Sequence, residues 1–299
     1  MSSPPEFDLQ SHSIVSDGTL QPAEVVEAAA AAGVKLLALT DHDSVDGVSA
    51  AQAAGDKRGV DIVPAAELSA IDGDREDLHI LGYCFDHVHP HLVSSLKEFR
   101  ADREARAGRM ADALAECGFQ LDRAPLDARA ATGSPIGRPH LADAVLAHPA
   151  NAVRLADEGL SDSGAVIEAY LVDGAPAYRR RTTPTVEDAI ALIHEAGGVA
   201  VWAHPFWDVA DDADVLDAID RFANAGLDGV ETFYITHSEE QTRLLAAHCR
   251  AEGLLTTGSA DFHGPEHKLF HRFRAFETYD LEPDLGPIAD GAKKYGWPS

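Results

Sequence analysis

Apolar positions in the first third of the chain alternate between short continuous runs and longer stretches with helical spacing. Residues 6–9 read as a strand, 21–32 as a helix, 34–39 as a strand, 45–57 as a helix and 60–65 as a strand, which is a repeated βα unit. The run Val34-Lys35-Leu36-Leu37-Ala38-Leu39 is apolar almost throughout, as a strand covered on both faces requires, and Gly33 before it suits a helix C-terminus. From about residue 90 to 178 the strand signals cease. Helical spacing over 92–117, 138–146 and 162–171 takes their place, broken by the turn-rich Thr132-Gly133-Ser134-Pro135 and Ser161-Asp162-Ser163-Gly164. The alternation then resumes: a helix opened by Pro184 and Thr185 and closed at Gly197-Gly198, strand 199–203, helix 215–225, strand 229–233, helix 239–252 and strand 254–257. The pattern predicts an α/β domain over 1–88 and 179–299, interrupted by a helical insertion at 89–178.

Composition bounds the function. At 299 residues the chain holds one α/β barrel or two ordinary domains. With 24 basic against 50 acidic residues and a net charge of -26, it repels polyanions unless cations or a local basic patch intervene, so stable binding to duplex nucleic acid is not expected. The scarcity of lysine suits either a surface kept soluble in high salt or an ordinary acidic protein. Cys84, Cys117 and Cys249 form no C-x-x-C pair, which argues for buried free thiols over a disulfide framework or a thiolate zinc site. A basic-then-apolar leader and a spanning apolar run of about 18–20 residues are both missing, so a cytoplasmic protein without membrane contact is expected.

Short segments near the ends of the β-type runs carry side chains able to bind metals: Gln10-Ser11-His12 with Asp17, Asp41-His42-Asp43, Glu67, His79, His204 and Asp261-Phe262-His263. Barrel strands open onto one face, where residues distant in sequence converge. Imidazole and carboxylate together suit zinc, manganese or iron, and such clusters activate water and offset phosphate charge in phosphoester hydrolysis. Taken singly, each residue also reads as an ordinary polar strand end or cap, Asp17 and Asp43 above all. Taken together they predict one metal cluster.

Asp8-Leu9-Gln10-Ser11-His12-Ser13 through Ser16-Asp17-Gly18, Leu39-Thr40-Asp41-His42-Asp43, Glu67-Leu68-Ser69, His79-Ile80-Leu81-Gly82-Tyr83, Ala203-His204-Pro205 and Asp261-Phe262-His263-Gly264, in that order, resemble the PHP (polymerase and histidinol phosphatase) family. The resemblance spans nearly the whole chain. Gly137-Arg138-Pro139-His140 in the insertion makes it most similar to the stand-alone phosphoesterases of that family, which act on nucleoside 3',5'-bisphosphates and 5'-ended short RNA. It implies a distorted (β/α)7 barrel with a helical insertion, two or three divalent ions (manganese, zinc or iron, with magnesium open), and hydrolysis of small nucleotide or short RNA substrates by a hydroxide shared between ions. Carried over by position, Gln10, His12, Glu67 and Asp261 would share one metal, Asp17, His42 and His204 a second, and Glu67, His79 and His263 a third. Arg138 and His140 would grip the phosphate and, with His263, act at the reacting centre. Arg181 and His237 would bind substrate, although Arg179-Arg180-Arg181 also reads as a solvated linker. Phe206 and Trp207 read either as base-stacking residues or as rim packing.

Gln10 departs from the family pattern, which has histidine at this place. Its carbonyl oxygen is uncharged and weaker than imidazole toward zinc or iron, so the first ion is expected to bind less tightly or to favour manganese or magnesium. Two other readings share the resemblance: a module that binds nucleotide or metal without turnover, and a histidinol-phosphatase-like enzyme.

Overall fold

The structure, a computed structural model, describes residues 5–131, 136–180 and 184–294. The chain divides into two compact units, Met1–Lys97 with Thr183–Ser299, and Glu98–Thr182. The first holds a seven-stranded sheet in sequence order: β1 (Phe7–Asp8), β2 (Leu36–Leu39), β3 (Asp61–Asp72), β4 (Arg75–Tyr83), β5 (Val199–Trp202), β6 (Gly229–Tyr234) and β7 (Leu255–Ser259). Strands β1 to β3 are parallel, as are β5 to β7. Leu9 donates its N–H to the Gly258 carbonyl at 3.2 Å and Ser11 bridges Phe262, so β7 returns to β1 and the sheet nearly closes into a barrel.

Strand β4 runs antiparallel to both neighbours. The sequence predicts a strand ending near residue 65. The observed β3 continues to Asp72 and turns back through Gly73-Asp74, with Gly73 at φ +60°, the left-handed conformation a two-residue hairpin needs. Glu67 and Ser69 hide this continuation, because polar side chains in mid-strand break the apolar run that marks a buried strand. The reversal puts the N-terminal half of β4 at the end of the barrel where the parallel strands finish. His79 therefore stands opposite Ser69, and its carbonyl accepts the N–H of Ala203 at 2.9 Å.

Leu9, Ala38, Val63, Leu81, Tyr83 and Val201 form one buried cluster, joined by Ile288 from the C-terminal segment. Helices Pro22–Ala31 and Val48–Arg58 cover the outside of β2 and β3 through Val25, Val26, Leu37, Leu39 and Ile62. Trp202 is fully buried and meets Phe222 of helix Asp212–Asn224 edge-on, with ring centroids 5.1 Å apart. His237, in the loop after β6, is also buried. Its Nδ1 lies 3.1 Å from the Thr232 carbonyl, which makes Nδ1 the donor and leaves Nε2 unprotonated.

The second unit has its own core, around Met110, Leu114, Phe119, Leu141, Val145 and Val166. The Arg154 guanidinium lies over the Phe119 ring at 4.0 Å, and Asn151 exchanges hydrogen bonds with the Gln120 backbone. Arg138, Pro139 and His140 form the first turn of helix Arg138–Ala147. Proline is pre-shaped for this position, and His140 Nδ1 accepts the N–H of Gly137 at 3.0 Å. Among the described residues no helix is long and apolar enough to cross a membrane.

Two outcomes are expected. Trp202→Ala leaves a cavity against Phe222 and lowers stability by about 3–5 kcal/mol in denaturant unfolding. Burial pushes the His237 imidazole down to about 4 from its ordinary 6.5, outweighing the Thr232 carbonyl, so the unfolded chain binds a proton that the folded one refuses. Stability then falls as pH drops from about 6.5 to about 4, by at most about 1.4 kcal/mol per pH unit, and His237→Gln flattens this part of the pH–stability curve.

Candidate metal centre

Four segments that follow strands β1, β2, β5 and β7, and two residues of the β3–β4 hairpin, bring their side chains to one end of the barrel. Glu67 is at the centre, with 1% of its surface exposed. Its Oε1 lies 2.7 Å from His79 Nδ1 and 3.3 Å from His204 Nε2. Its Oε2 lies 3.1 Å from His12 Nε2 and 3.8 Å from His42 Nδ1. Asp17 joins from the exposed side, with Oδ1 3.5 Å from both His12 Nδ1 and His263 Nε2, and Oδ2 3.5 Å from His42 Nε2. Asp261 Oδ1 is 3.0 Å from His12 Nε2, while its Oδ2 accepts the Tyr234 hydroxyl at 2.9 Å.

These atoms fall into three groups whose ligand atoms are close enough to hold a single ion: His12, Asp17 and His263; His12, His42 and Glu67; Glu67, His79 and His204. These groups are drawn differently from the expected sets: His263 stands with His12 and Asp17, His204 with Glu67 and His79, and His42 with His12 and Glu67, while its Nε2 stays 3.5 Å from Asp17. Strand order is the reason. His204 follows β5, whose neighbour β4 carries His79, whereas His263 follows β7, which closes onto the segment bearing His12 and Asp17. Thr19 donates its N–H to the His263 carbonyl at 2.8 Å, fixing that contact.

The charge pattern fits cations at this site. Burial raises the Glu67 carboxyl, yet the imidazoles of His42 and His79 overrule it and hold the group well below the usual carboxylate range. Burial likewise raises Asp17, and His42 and His263 bring it well below. The His12 imidazole, which burial alone would lower, is held well above its ordinary value by Asp261 and Glu67. The carboxylates are thus ionised and demand positive charge. His12 Nε2 and Asp261 Oδ1 are buried and only 3.0 Å apart without the alignment a hydrogen bond needs, as befits two atoms that share a third partner. The donor set, imidazole nitrogen and carboxylate oxygen, suits zinc, manganese or iron.

A layer of buried polar groups orients these side chains. Asp41 accepts the Ser13 N–H and the hydroxyls of Ser13 and Ser16, each at 2.8 Å, and so shapes the loop that presents His12 and Asp17. Asp8 accepts the N–H of Ala260 at 3.0 Å and of Arg274 at 2.7 Å, pinning the segment that carries Asp261 and His263; burial pushes its carboxyl up to about 7. Glu231 accepts the His204 N–H at 3.0 Å and the Ser259 hydroxyl at 2.6 Å, and burial pushes it up to about 8. His204 and Asp261 have positive φ, 29° and 53°, a conformation that side chains adopt only when the surroundings enforce it. Glu231 escapes sequence reading as a site residue, although a lone acid in the buried strand Gly229–Tyr234 is itself a signal.

Gln10 does not present its oxygen to this cluster. Its Nε2 donates to Glu67 Oε2 at 2.9 Å, and its Oε1 accepts from the Ser259 hydroxyl at 3.2 Å. His237 lies behind the rim, packed between Phe206 and Tyr234 at centroid distances of 5.4 Å. Arg138 and His140 belong to the second unit, where His140 lines a cavity of about 350 Å³ with Leu126, Arg129 and Asp143. Arg181 lies outside the described residues.

The PHP domain matches residues 8–122. A 3',5'-nucleoside bisphosphate phosphatase of Chromobacterium violaceum is 34% identical over 260 residues, covering 87% of each chain. A 5'-3' exoribonuclease of Haemophilus influenzae is 32% identical over 87% of this chain and 90% of its own. A phosphoribosyl 1,2-cyclic phosphate 1,2-diphosphodiesterase of Eggerthella lenta is 32% identical over 88% of this chain and 96% of its own. Among solved structures, a Chromobacterium violaceum amidohydrolase with bound sulfate superposes with a TM-score of 0.75 at 32% identity, covering 95% of this chain and 93% of that one. A candidate metal-dependent phosphoesterase of Bifidobacterium adolescentis superposes at 0.72 and 28% identity, covering 89% and 91%. Sequence, barrel and the convergence of motif residues agree: the chain belongs to the PHP domain family, in the branch that contains the nucleoside bisphosphate phosphatase and the 5'-3' exoribonucleases.

Proposed function

We propose that this metal-dependent phosphoesterase hydrolyses phosphate esters of nucleotides, with nucleoside 3',5'-bisphosphates and short 5'-ended RNA as its substrates. The observation that carries this reading is Glu67, a buried carboxylate whose two oxygens each face a pair of imidazoles. Such an arrangement is costly to bury unless cations share it.

His12, Asp17, His42, Glu67, His79, His204, Asp261 and His263 would hold the ions, with Glu67 serving two groups at once. Divalent ions in this position supply an acidified water and neutralise charge on phosphate oxygens. The protein's own part is to fix the directions of approach. Tyr234 takes one oxygen of Asp261 and leaves the other facing His12. The Asp41 brace holds the loop on which His12 and Asp17 approach to 3.5 Å, and Glu231 sets the backbone of His204. Gln10 saturates part of Glu67 Oε2 by donating to it, which orients the carboxylate without adding a ligand. Roles for Arg138, His140 and Arg181 toward phosphate rest on the family resemblance.

Phosphate release from adenosine 3',5'-bisphosphate with manganese, and mononucleotide release from a short 5'-phosphorylated RNA, test the activity. Glu67→Gln is expected to lower the rate by at least about 100-fold and to lower bound metal measured by elemental analysis, since losing a ligand exceeds the 10–100-fold cost typical of outer partners. Absence of phosphate release by the wild type, with metal content unmoved by Glu67→Gln, overturns the reading. Gln10→Leu deletes the donor on Glu67 and should weaken metal retention in a chelator titration by about tenfold, whereas Gln10→His adds an imidazole and should strengthen it.

A further inference from the structure

We infer that Trp207, backed by Phe270 and Tyr234, is a stacking surface for the nucleobase of the substrate, so that the enzyme prefers base-bearing over base-free phosphate esters. The inference rests on the activity proposed above and adds the feature of the substrate that the metal groups cannot read.

The large apolar side chains left exposed among the described residues are Ile14, Val88, Val153, Trp207 and Leu269. Three of them, Ile14, Trp207 and Leu269, lie in the segments that carry His12, His204 and His263. Trp207 is the most conspicuous, a tryptophan with 54% of its surface in solvent. Its backbone is tied to the metal group, because its N–H donates to the His204 carbonyl at 2.8 Å. Its indole is centred 6.5 Å from the His204 ring, 5.7 Å from Phe270 and 6.5 Å from Tyr234. Phe270 in turn lies 5.3 Å from His263. An aromatic ledge therefore runs from the imidazole of one group to the imidazole of another, with the indole on its open side.

Rim packing accounts for Phe206, which packs edge-on against the buried His237 at 5.4 Å. It does not account for Trp207, half of which packs against nothing in its own unit. A flat uncharged ring beside a phosphate site is recognised by stacking, which tolerates any base and needs no cation. In a chain with net charge -26 that is an advantage, since surface cations are scarce and ionic contacts fade with salt. Relatives differ in this respect: one is named for a nucleoside bisphosphate and another for a phosphoribosyl cyclic phosphate, an ester of a base-free sugar. A stacking surface at Trp207 suits a base-bearing substrate such as the former.

The test compares wild type, Trp207→Ala and Trp207→Phe, as full-length manganese-loaded proteins, on adenosine 3',5'-bisphosphate and on a methyl riboside 3,5-bisphosphate that lacks the base. The ratio of kcat/KM for the two substrates should fall by about tenfold or more in Trp207→Ala, through KM, and be largely restored in Trp207→Phe. That fall should persist at high salt. A second readout does not need turnover: adenosine monophosphate should quench tryptophan fluorescence in the wild type, and Trp207→Phe should abolish the quenching. An unmoved substrate ratio with quenching retained in Trp207→Phe overturns the stacking surface while leaving the phosphoesterase intact. Quenching that depends on Trp207, in a wild type that releases no phosphate from either substrate, overturns the activity and leaves the stacking surface standing.

Discussion

The demand for charge balance around the buried Glu67 carboxylate organises one whole end of the barrel. A carboxylate removed from water is tolerated only when positive charge or hydrogen bonds replace its hydration. Here each oxygen faces two imidazoles, and Gln10 adds an N–H to one of them. Those imidazoles come from separate segments, so Glu67 fixes where the segments must end. The same demand extends outward to Asp17 and Asp261, which share His12 and His263 with the central cluster.

Behind the ligand-type side chains stand Asp8, Asp41 and Glu231, all buried and all accepting hydrogen bonds from backbone or hydroxyl donors. They act on the main chain, holding strained residues such as His204 and Asp261 in place. Charges that face the centre and charges that brace it therefore differ in their partners: the former meet imidazoles, the latter meet N–H and O–H groups. Burial lowers neither kind on its own; the imidazoles pull Glu67 and Asp17 down, while Asp8 and Glu231 are left high.

Much of this was legible in the sequence. The βα alternation, the helical interruption and the motif residues all follow from period and residue type, and the family resemblance supplied their common purpose. What stayed hidden depends on pairing in space. The β3–β4 hairpin is masked because Glu67 and Ser69 break its apolar run, and the partition of His204 and His263 needs the strand order, which no local pattern carries. At Gln10 the amide packs between Glu67 and Ser259, a pairing that its place in the motif does not reveal by itself. Glu231 and Ser259 were missed because a single polar residue in a strand signals burial cost without naming the neighbour that offsets it.

The reversed strand has a consequence for how the chain acquires its cations. Glu67 and His79 sit on adjacent arms of one hairpin, closed by the short Gly73-Asp74 turn, whereas the other imidazoles that face Glu67 come from segments outside it. Closing a short loop costs the least entropy of any pairing in the barrel. A chain still emerging from synthesis, holding only this hairpin, already offers a carboxylate and an imidazole on one face. The segments that follow β1, β2, β5 and β7 add their imidazoles and carboxylates only as the barrel closes.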